Sequence, residues 1–315
     1  MTVSVFVDGG VGTTGIEILD RLGGRSEIAL KTLPEALRKD PAARADALRS
    51  ADFVILCLPD DAAREAVTLV GDAPTRIIDA STAHRTAAGW DYGFPELSPG
   101  QRERVAASTR VSNPGCYPTA FLALVAPLVR AGLIDREWPV TVNAVSGYSG
   151  GGKSMIAAFE DSAAPDATDT AFRIYGLSLA HKHVPEMQIH AGLAHPPIFA
   201  PAVTRTYRGM IVEVPLPAQA LSAAPDKLRD ALAAAYAASP LIRVADRTES
   251  ANLGALPIER VAGTDRIELH VFGNDATGQA RLVAAIDNLG KGAAGAAVQS
   301  LNLMAGLPET SGLRL

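Results

Sequence analysis

Short apolar runs and helical periodicities alternate along the first third of the chain. Val3–Asp8, Ile28–Leu33, Phe53–Leu58 and Arg76–Asp79 have strand length and are closed by Gly, Pro or Asp. Helical spacing fills the intervals, over Ile16–Leu22, Ala42–Leu48 and Ala62–Val70. Strands covered on both faces read as continuous apolar runs, so the alternation predicts βαβ units and a parallel sheet between two layers of helices. Val105–Ser108 is expected to add one more strand. The next stretch predicts a helix over Tyr117–Gly132, a strand over Val140–Val145, a Gly-dense loop over Ser146–Lys153 and an exposed loop over 158–170. Strands at Gly209–Leu216, Leu241–Val244 and Arg266–Val271 around a helix near Asp226–Ala238 suggest a mixed or antiparallel sheet, hence an α+β second domain. Leu282–Ala305 is Ala-rich and reads as a helix that packs back on the first domain.

Composition narrows the function classes. A chain of 315 residues that is 48% hydrophobic and 20% charged can bury two domain cores. With 29 basic against 34 acidic residues, no bulk positive charge exists to hold nucleic acid or an anionic membrane. Aromatic residues are only 5%, too few for a base-stacking platform. Two cysteines, Cys57 and Cys116, exclude a disulfide framework. The N-terminal residues lack the basic and apolar regions of a signal peptide, and the oily Phe121–Val129 stretch is broken by Pro127. A cytoplasmic protein is expected.

The candidate chemistry begins in the turn after the first strand. Gly9-Gly10-Val11-Gly12-Thr13-Thr14-Gly15 opens the first helix, and its glycines suit a tight turn with a pyrophosphate on the helix amides. The candidate cofactor contacts here are Gly9, Gly12, Thr13, Thr14 and Gly15. Glu35 suits a ribose 2′-hydroxyl, Arg38 and Lys39 suit a 2′-phosphate, and all three also read as the solvated start of a helix. These residues leave the choice between NAD and NADP open.

Cys116 stands in Asn113-Pro114-Gly115-Cys116-Tyr117-Pro118-Thr119, a turn entering a helix, where dipole and amides favour a thiolate and an oxyanion. Cys57, inside an apolar run, reads as core. A thiolate needs a base, and His181-Lys182-His183-Val184-Pro185-Glu186 offers two imidazoles with Glu186 to orient one. No further ligands at suitable spacing complete a metal site with His181 and His183. Ser81 and Arg85 follow the fourth strand at the sheet's carboxyl edge, where ligands bind, and Arg85 suits a substrate phosphate or carboxylate. The loop of Ser146, Gly150 and Lys153 offers amides and a cation to a phosphate. A helix cap for Ser81 and a plain hairpin for the loop remain open.

These segments, with Tyr92–Leu97, Arg208-Gly209-Met210 and Asp287–Gly295, resemble in order the short-type N-acetyl-gamma-glutamyl-phosphate reductases. The resemblance implies a Rossmann domain over 1–115, completed by a C-terminal helix over 284–315. It also implies a glyceraldehyde-3-phosphate-dehydrogenase-like α+β catalytic and dimerisation domain over 116–283. It implies NADP, a small acyl-phosphate substrate, arginine biosynthesis and a tetramer. Residue by residue, it makes Cys116 the nucleophile and His183 or His181 the acid/base with Glu186. Ser81, Gly150 and Asn288 become cofactor contacts; Arg85, Asn113, Ser146 and Lys153 become substrate contacts. Long-type members usually have Ser-Ala-Asp-Phe-Arg where this chain has Ser81-Thr82-Ala83-His84-Arg85, so only the outer two residues transfer. Competing readings are a paralogous reductase of an N-blocked aminoadipyl or aspartyl phosphate, a cysteine hydrolase or acyltransferase, and a non-catalytic NAD(P)-binding regulator.

Overall fold

The computed structural model describes residues 2–38 and 40–315; Met1 and the 2′-phosphate candidate Lys39 lie outside them. The chain divides into two compact units. The first comprises Met1–Pro95, Gly100–Pro114 and Ala293–Leu313; the second comprises Glu96–Pro99, Gly115–Gly292 and Arg314–Leu315.

The first unit is built on a six-stranded parallel sheet. Its strands are β1 (Val3–Asp8), β2 (Ile28–Lys31), β3 (Phe53–Leu56), β4 (Arg76–Asp79), β5 (Asp91–Tyr92) and β6 (Arg110–Ser112), in the spatial order β2-β1-β3-β4-β6-β5. Because side chains alternate across a strand, each apolar run feeds two cores. Val5, Val7, Phe53 and Ile55 join Ile18, Leu22, Val298 and Leu301 in one cluster. Phe6, Val54 and Leu56 join Leu48, Ala63 and Ala66 in the other. The order reverses beside β1, and the turn after β1 is therefore at a switch point, where open α/β sheets bind ligands. Val105 lies in the helix Gln101–Ala107 rather than in a strand, and the strand follows at β6. A valine on the buried face of a helix reads like a strand residue over so short a run.

The second unit carries a seven-stranded mixed sheet. Its strands are β7 (Thr141–Gly147), β8 (Phe172–Ile174), β9 (Ile198–Thr204), β10 (Met210–Leu216), β11 (Ile242–Val244), β12 (Ile267–Asn274) and β13 (Gln279–Ile286), ordered β11-β12-β13-β10-β7-β9-β8. Two expectations are corrected here. Leu282–Ile286 is a strand, because its apolar run pairs with both β10 and β12; the helix starts only at Gly295–Met304, after a wide π turn over Gly290–Ala294. The Gly-dense segment is not a loose loop: β7 runs through Gly147, and a 3₁₀ turn then enters the helix Gly152–Glu160.

The helix Cys116–Arg130 is the core of this unit, with Tyr117 through Leu128 all buried. A helix apolar all round must be covered all round, and it packs on β10, β13 and the helices Val184–Ala191 and Pro225–Tyr236. Pro127 removes the N–H that would bond the Ala123 carbonyl. The Tyr236 hydroxyl donates to that carbonyl at 2.8 Å instead, so no buried acceptor is left over. No helix of the described residues is long and apolar enough to cross a membrane.

Candidate active site

In the first unit, two glycines of the β1 turn are demanded by the protein itself. Gly9 has φ +86°, and a Cβ there would lie 2.2 Å from the Cys57 carbonyl oxygen; one on Gly15 would lie 2.5 Å from the Gly9 oxygen. Gly12 is different. A Cβ on it would meet only the Gly9 oxygen, at an ordinary 3.4 Å, so the protein leaves space there. Gly12 is also the N-cap of the helix Thr13–Leu22, so its open side borders the helix amides. Beside this turn is a cleft of about 670 Å³ lined by Gly9, Gly10, Val11, Glu35, Lys31, Arg38 and Arg44. Arg44 pairs with Asp8 at 2.9 Å, at the end of β1. Cys57 lies under the turn, where burial, then the charges of Asp79 and Asp8, push its thiol up to about 12. It stays a protonated thiol.

Ser81 and Arg85 are drawn into their own loop. The Ser81 hydroxyl donates to buried Asp79 at 2.7 Å and accepts from the Ala83 N–H. His84 Nδ1 is 2.6 Å from the same carboxylate, and its ring stacks on Trp90 at 4.1 Å. The Arg85 guanidinium donates to the backbone oxygens of Asn113 (3.0 Å) and Ala80 (3.2 Å) and is buried. Asn113 is buried too, its amide donating to the Ala293 oxygen. The structure thus brings Ser81, Arg85 and Asn113 together, through backbone carbonyls that the sequence does not mark.

In the second unit, Cys116 is half-buried at the first position of its helix. Gly115 is the cap, with extended backbone, and the first intrahelical bond runs from the Thr119 N–H to its carbonyl at 2.9 Å. The amides of Cys116 and Tyr117 precede that bond and point out of the helix end. The Gly115 N–H donates to Glu186 Oε1 at 2.8 Å, and Glu186 is 1% exposed. By this bond Glu186 holds the turn that carries the cysteine.

His183 caps the helix Val184–Ala191 and is buried. Its backbone N–H donates to His181 Nδ1 at 3.2 Å, so neutral His181 carries its proton on Nε2. The two rings meet edge to face at 4.7 Å, and Tyr117 lies 6.0 Å from His183 and 6.4 Å from His181. Burial, then Lys182, lowers the His181 pKa, keeping that ring neutral near pH 7. The Tyr175 hydroxyl donates to the Tyr117 oxygen at 2.8 Å, and burial pushes Tyr175 up to about 12. His190 lies in the last turn of the helix Val184–Ala191.

The Gly-dense segment is fastened by its backbone. The amides of Gly147, Tyr148 and Ser149 donate to the carbonyls of Gly209, Thr206 and Tyr207 at 2.9–3.0 Å. A Cβ on Gly147 would lie 2.7 Å from the Tyr207 oxygen. These amides are therefore committed and do not form the phosphate nest that the glycines suggest. Ser146 is buried and donates to the Gly147 carbonyl, while Lys153 is exposed at the start of the next helix. Buried Asn288 accepts from the Gly209 N–H and donates to Ser149 Oγ, each at 2.9 Å, and Gly150 packs beside it. Sequence reasoning missed Asp287, whose buried carboxylate accepts from the Leu289 and Gly290 amides, and the buried Glu96–Lys291 pair. A lone acid or lysine inside an apolar or glycine-rich motif is the signal that was there to find.

Comparison with known proteins places this geometry. A family model described as semialdehyde dehydrogenase, NAD binding domain, matches residues 5–105. A second, semialdehyde dehydrogenase, dimerisation domain, matches residues 116–288. N-acetyl-gamma-glutamyl-phosphate reductase 2 of Nostoc sp. is 51% identical over 317 residues, 98% of each chain. N-acetyl-gamma-glutamyl-phosphate reductase of Brucella anthropi is 52% identical over 309 residues, 97% of this chain and 99% of its own.

The chain belongs to the N-acetyl-gamma-glutamyl-phosphate reductase family. Members of this family are NADP-dependent oxidoreductases of arginine biosynthesis. Among solved structures, a probable aspartate-semialdehyde dehydrogenase from Pseudomonas aeruginosa superposes with TM-score 0.73 at 17% identity, over 97% of this chain and 99% of its own. That likeness establishes the Rossmann-plus-α+β fold and nothing finer.

Proposed function

We propose that the chain reduces N-acetyl-gamma-glutamyl phosphate to N-acetylglutamate 5-semialdehyde and phosphate through a thioester on Cys116. The observation that carries this reading is the second unit's constellation: a half-buried thiol on a helix N-terminus, its turn held by Glu186, with His183 heading the helix that Glu186 belongs to. Cys57, pushed up to about 12, is no competitor.

The β1 turn suits a dinucleotide, because Gly12 is open where Gly9 and Gly15 are not. In the adjoining cleft, Lys31, Arg38 and Arg44 outnumber Asp8 and Glu35, which favours a 2′-phosphate and hence NADP. NADPH bound there supplies a hydride.

The protein's own groups do the rest. His183 takes the Cys116 proton, and the sulfur attacks the acyl carbon, breaking its bond to the phosphate oxygen, which leaves with the electron pair. The amides of Cys116 and Tyr117 stabilise the charge that builds on the acyl oxygen. After reduction the C–S bond breaks, releasing aldehyde, and the thiolate recovers its proton from His183. Neutral His181, accepting from the His183 backbone, fixes the turn that delivers His183. Lys153, exposed and cationic, is the candidate contact for the leaving phosphate, and Ser146, near the end of β7, is a second candidate substrate contact. The working form is a cytoplasmic homo-oligomer, a tetramer as in the resemblance.

The test is NADP reduction with N-acetylglutamate, N-acetylaminoadipate and aspartate semialdehydes, with and without inorganic phosphate. Phosphate-dependent turnover that favours the first is expected. Comparable rates for all three, or turnover independent of phosphate, would overturn the assignment.

A further inference from the structure

Behind Cys116 lies a turn for which the mechanism has no use so far. Asp287 folds residues 287–292 tightly. Its carboxylate accepts from the Leu289 N–H at 2.8 Å and the Gly290 N–H at 3.0 Å, and its carbonyl accepts from the Gly292 N–H at 3.0 Å. That last bond is the five-residue spacing of a π turn, a form that recurs at functional sites. A Cβ on Gly290 would lie 2.1 Å from the Thr264 oxygen, so the turn is wedged on its far side. On its near side, a Cβ on Gly292 would lie 2.8 Å from Cys116 Cβ and 3.3 Å from Cys116 Cα. The backbone of Gly292 is thus packed directly against the cysteine.

Between these glycines stands Lys291, wholly buried, with its Nζ 3.0 and 2.9 Å from the two oxygens of Glu96. Taking two charges out of water is costly, and a buried pair is weak evidence for stability. It can hold one geometry against others, because any shift of the turn leaves a buried charge unmatched.

We infer that the 287–292 turn is a backstop for the nucleophile, with Gly292 and Lys291 as positioning residues and Glu96 as the anchor. The inference rests on the reading of Cys116 as nucleophile. A thiol displaced by a fraction of an ångström stays chemically competent but leaves its attack line, and misplacement by about 1 Å costs on the order of 10²-fold in rate.

The experiment uses the full chain with four variants: Gly292→Ala, Lys291→Met, Glu96→Gln with Lys291→Met, and Cys116→Ser. Three readouts are taken: kcat and KM with acyl phosphate and NADPH, the pH profile of Cys116 alkylation by iodoacetamide followed by mass spectrometry, and Tm. Gly292→Ala is expected to lose about 10²-fold in kcat, with KM for NADPH within twofold and a shifted alkylation profile. Should Gly292→Ala or Lys291→Met not fold, the double variant, which buries no unmatched charge, carries the test. It is expected to keep its Tm and still show lowered kcat. Wild-type kcat and alkylation in folded Gly292→Ala, or full kcat in the stable double variant, would overturn the inference. Turnover by Cys116→Ser would instead sink the nucleophile reading beneath it, so the two failures are distinguishable.

Discussion

Two cysteines in one chain are set to opposite tasks by their surroundings. Cys57 lies beneath a glycine turn beside two carboxylates, and each influence disfavours a thiolate. Cys116 opens a helix, where outward amides favour one. Cys116→Ser should therefore reduce turnover to background while NADPH binding, followed by fluorescence titration, is retained; Cys57→Ser should leave turnover within a few-fold. A positioned imidazole contributes about 10²–10⁴-fold, so His183→Asn should lose that much in kcat. The glycines divide in the same way. Gly12→Val should weaken NADPH binding with little change in Tm, since nothing but the Gly9 oxygen stands near its missing Cβ. Gly9→Ala should lower Tm sharply, because its Cβ would strike the Cys57 carbonyl and its φ is +86°. Equal effects of the two substitutions on Tm would refute this division of roles.

At the scale of elements, the site is made by turns that hold helices by their ends. Glu186 reaches from the first turn of one helix to the cap of another, and Glu186→Ala should release the Gly115 N–H. Hydrogen bonds to buried charged groups are worth about 1.5–3 kcal/mol; a loss of that order in chemical denaturation, accompanied by a fall in kcat, is expected, with Glu186→Gln intermediate. Strand β12 carries a second prediction. Burial alone would push the Glu268 carboxyl up, but bonds from His270, Arg243 and Arg260 override it and hold it well below the ordinary glutamate range. A depressed carboxylate contributes stability that is fully present above the unfolded value and is lost as pH falls through that range toward the folded one. Wild type should therefore lose stability below about pH 4.5 faster than Glu268→Gln; parallel acid curves would show that the carboxylate contributes nothing there. Strands β1 to β4 were legible because their apolar runs are bounded by Gly, Pro and Asp; β5 and β6, of two and three residues, are too short to carry such a pattern. Leu282–Ile286 was not legible, because alternation fails in a strand covered on both sides and its alanines suit a helix equally.

For the whole molecule, what could be read in advance was whatever sits in contiguous residues: the glycine turn, the cysteine's helix, the His-x-His segment. What could not be read was pairing across the sequence. Lys291 and Glu96 lie 195 residues apart, and Gly292 meets Cys116 only because the fold returns it there. Nor does a run of glycines say whether its amides are open or, as at 147–149, already bonded to neighbouring carbonyls. Arg85 has the same lesson: its fork suits an anion, yet two backbone carbonyls hold it. Arg85→Lys should consequently lower Tm as well as kcat/KM, and a loss in kcat/KM alone would restore a direct substrate contact. The central claim is a covalent one and has a direct measurement. Enzyme rapidly mixed with N-acetyl-gamma-glutamyl phosphate in the absence of NADPH, then quenched in acid, digested and weighed, should show the N-acetylglutamyl mass on the peptide containing Cys116. One phosphate should be released per site, and the adduct should vanish when NADPH is added before the quench. Phosphate release with no adduct, or an adduct on Cys57, would contradict the thioester mechanism.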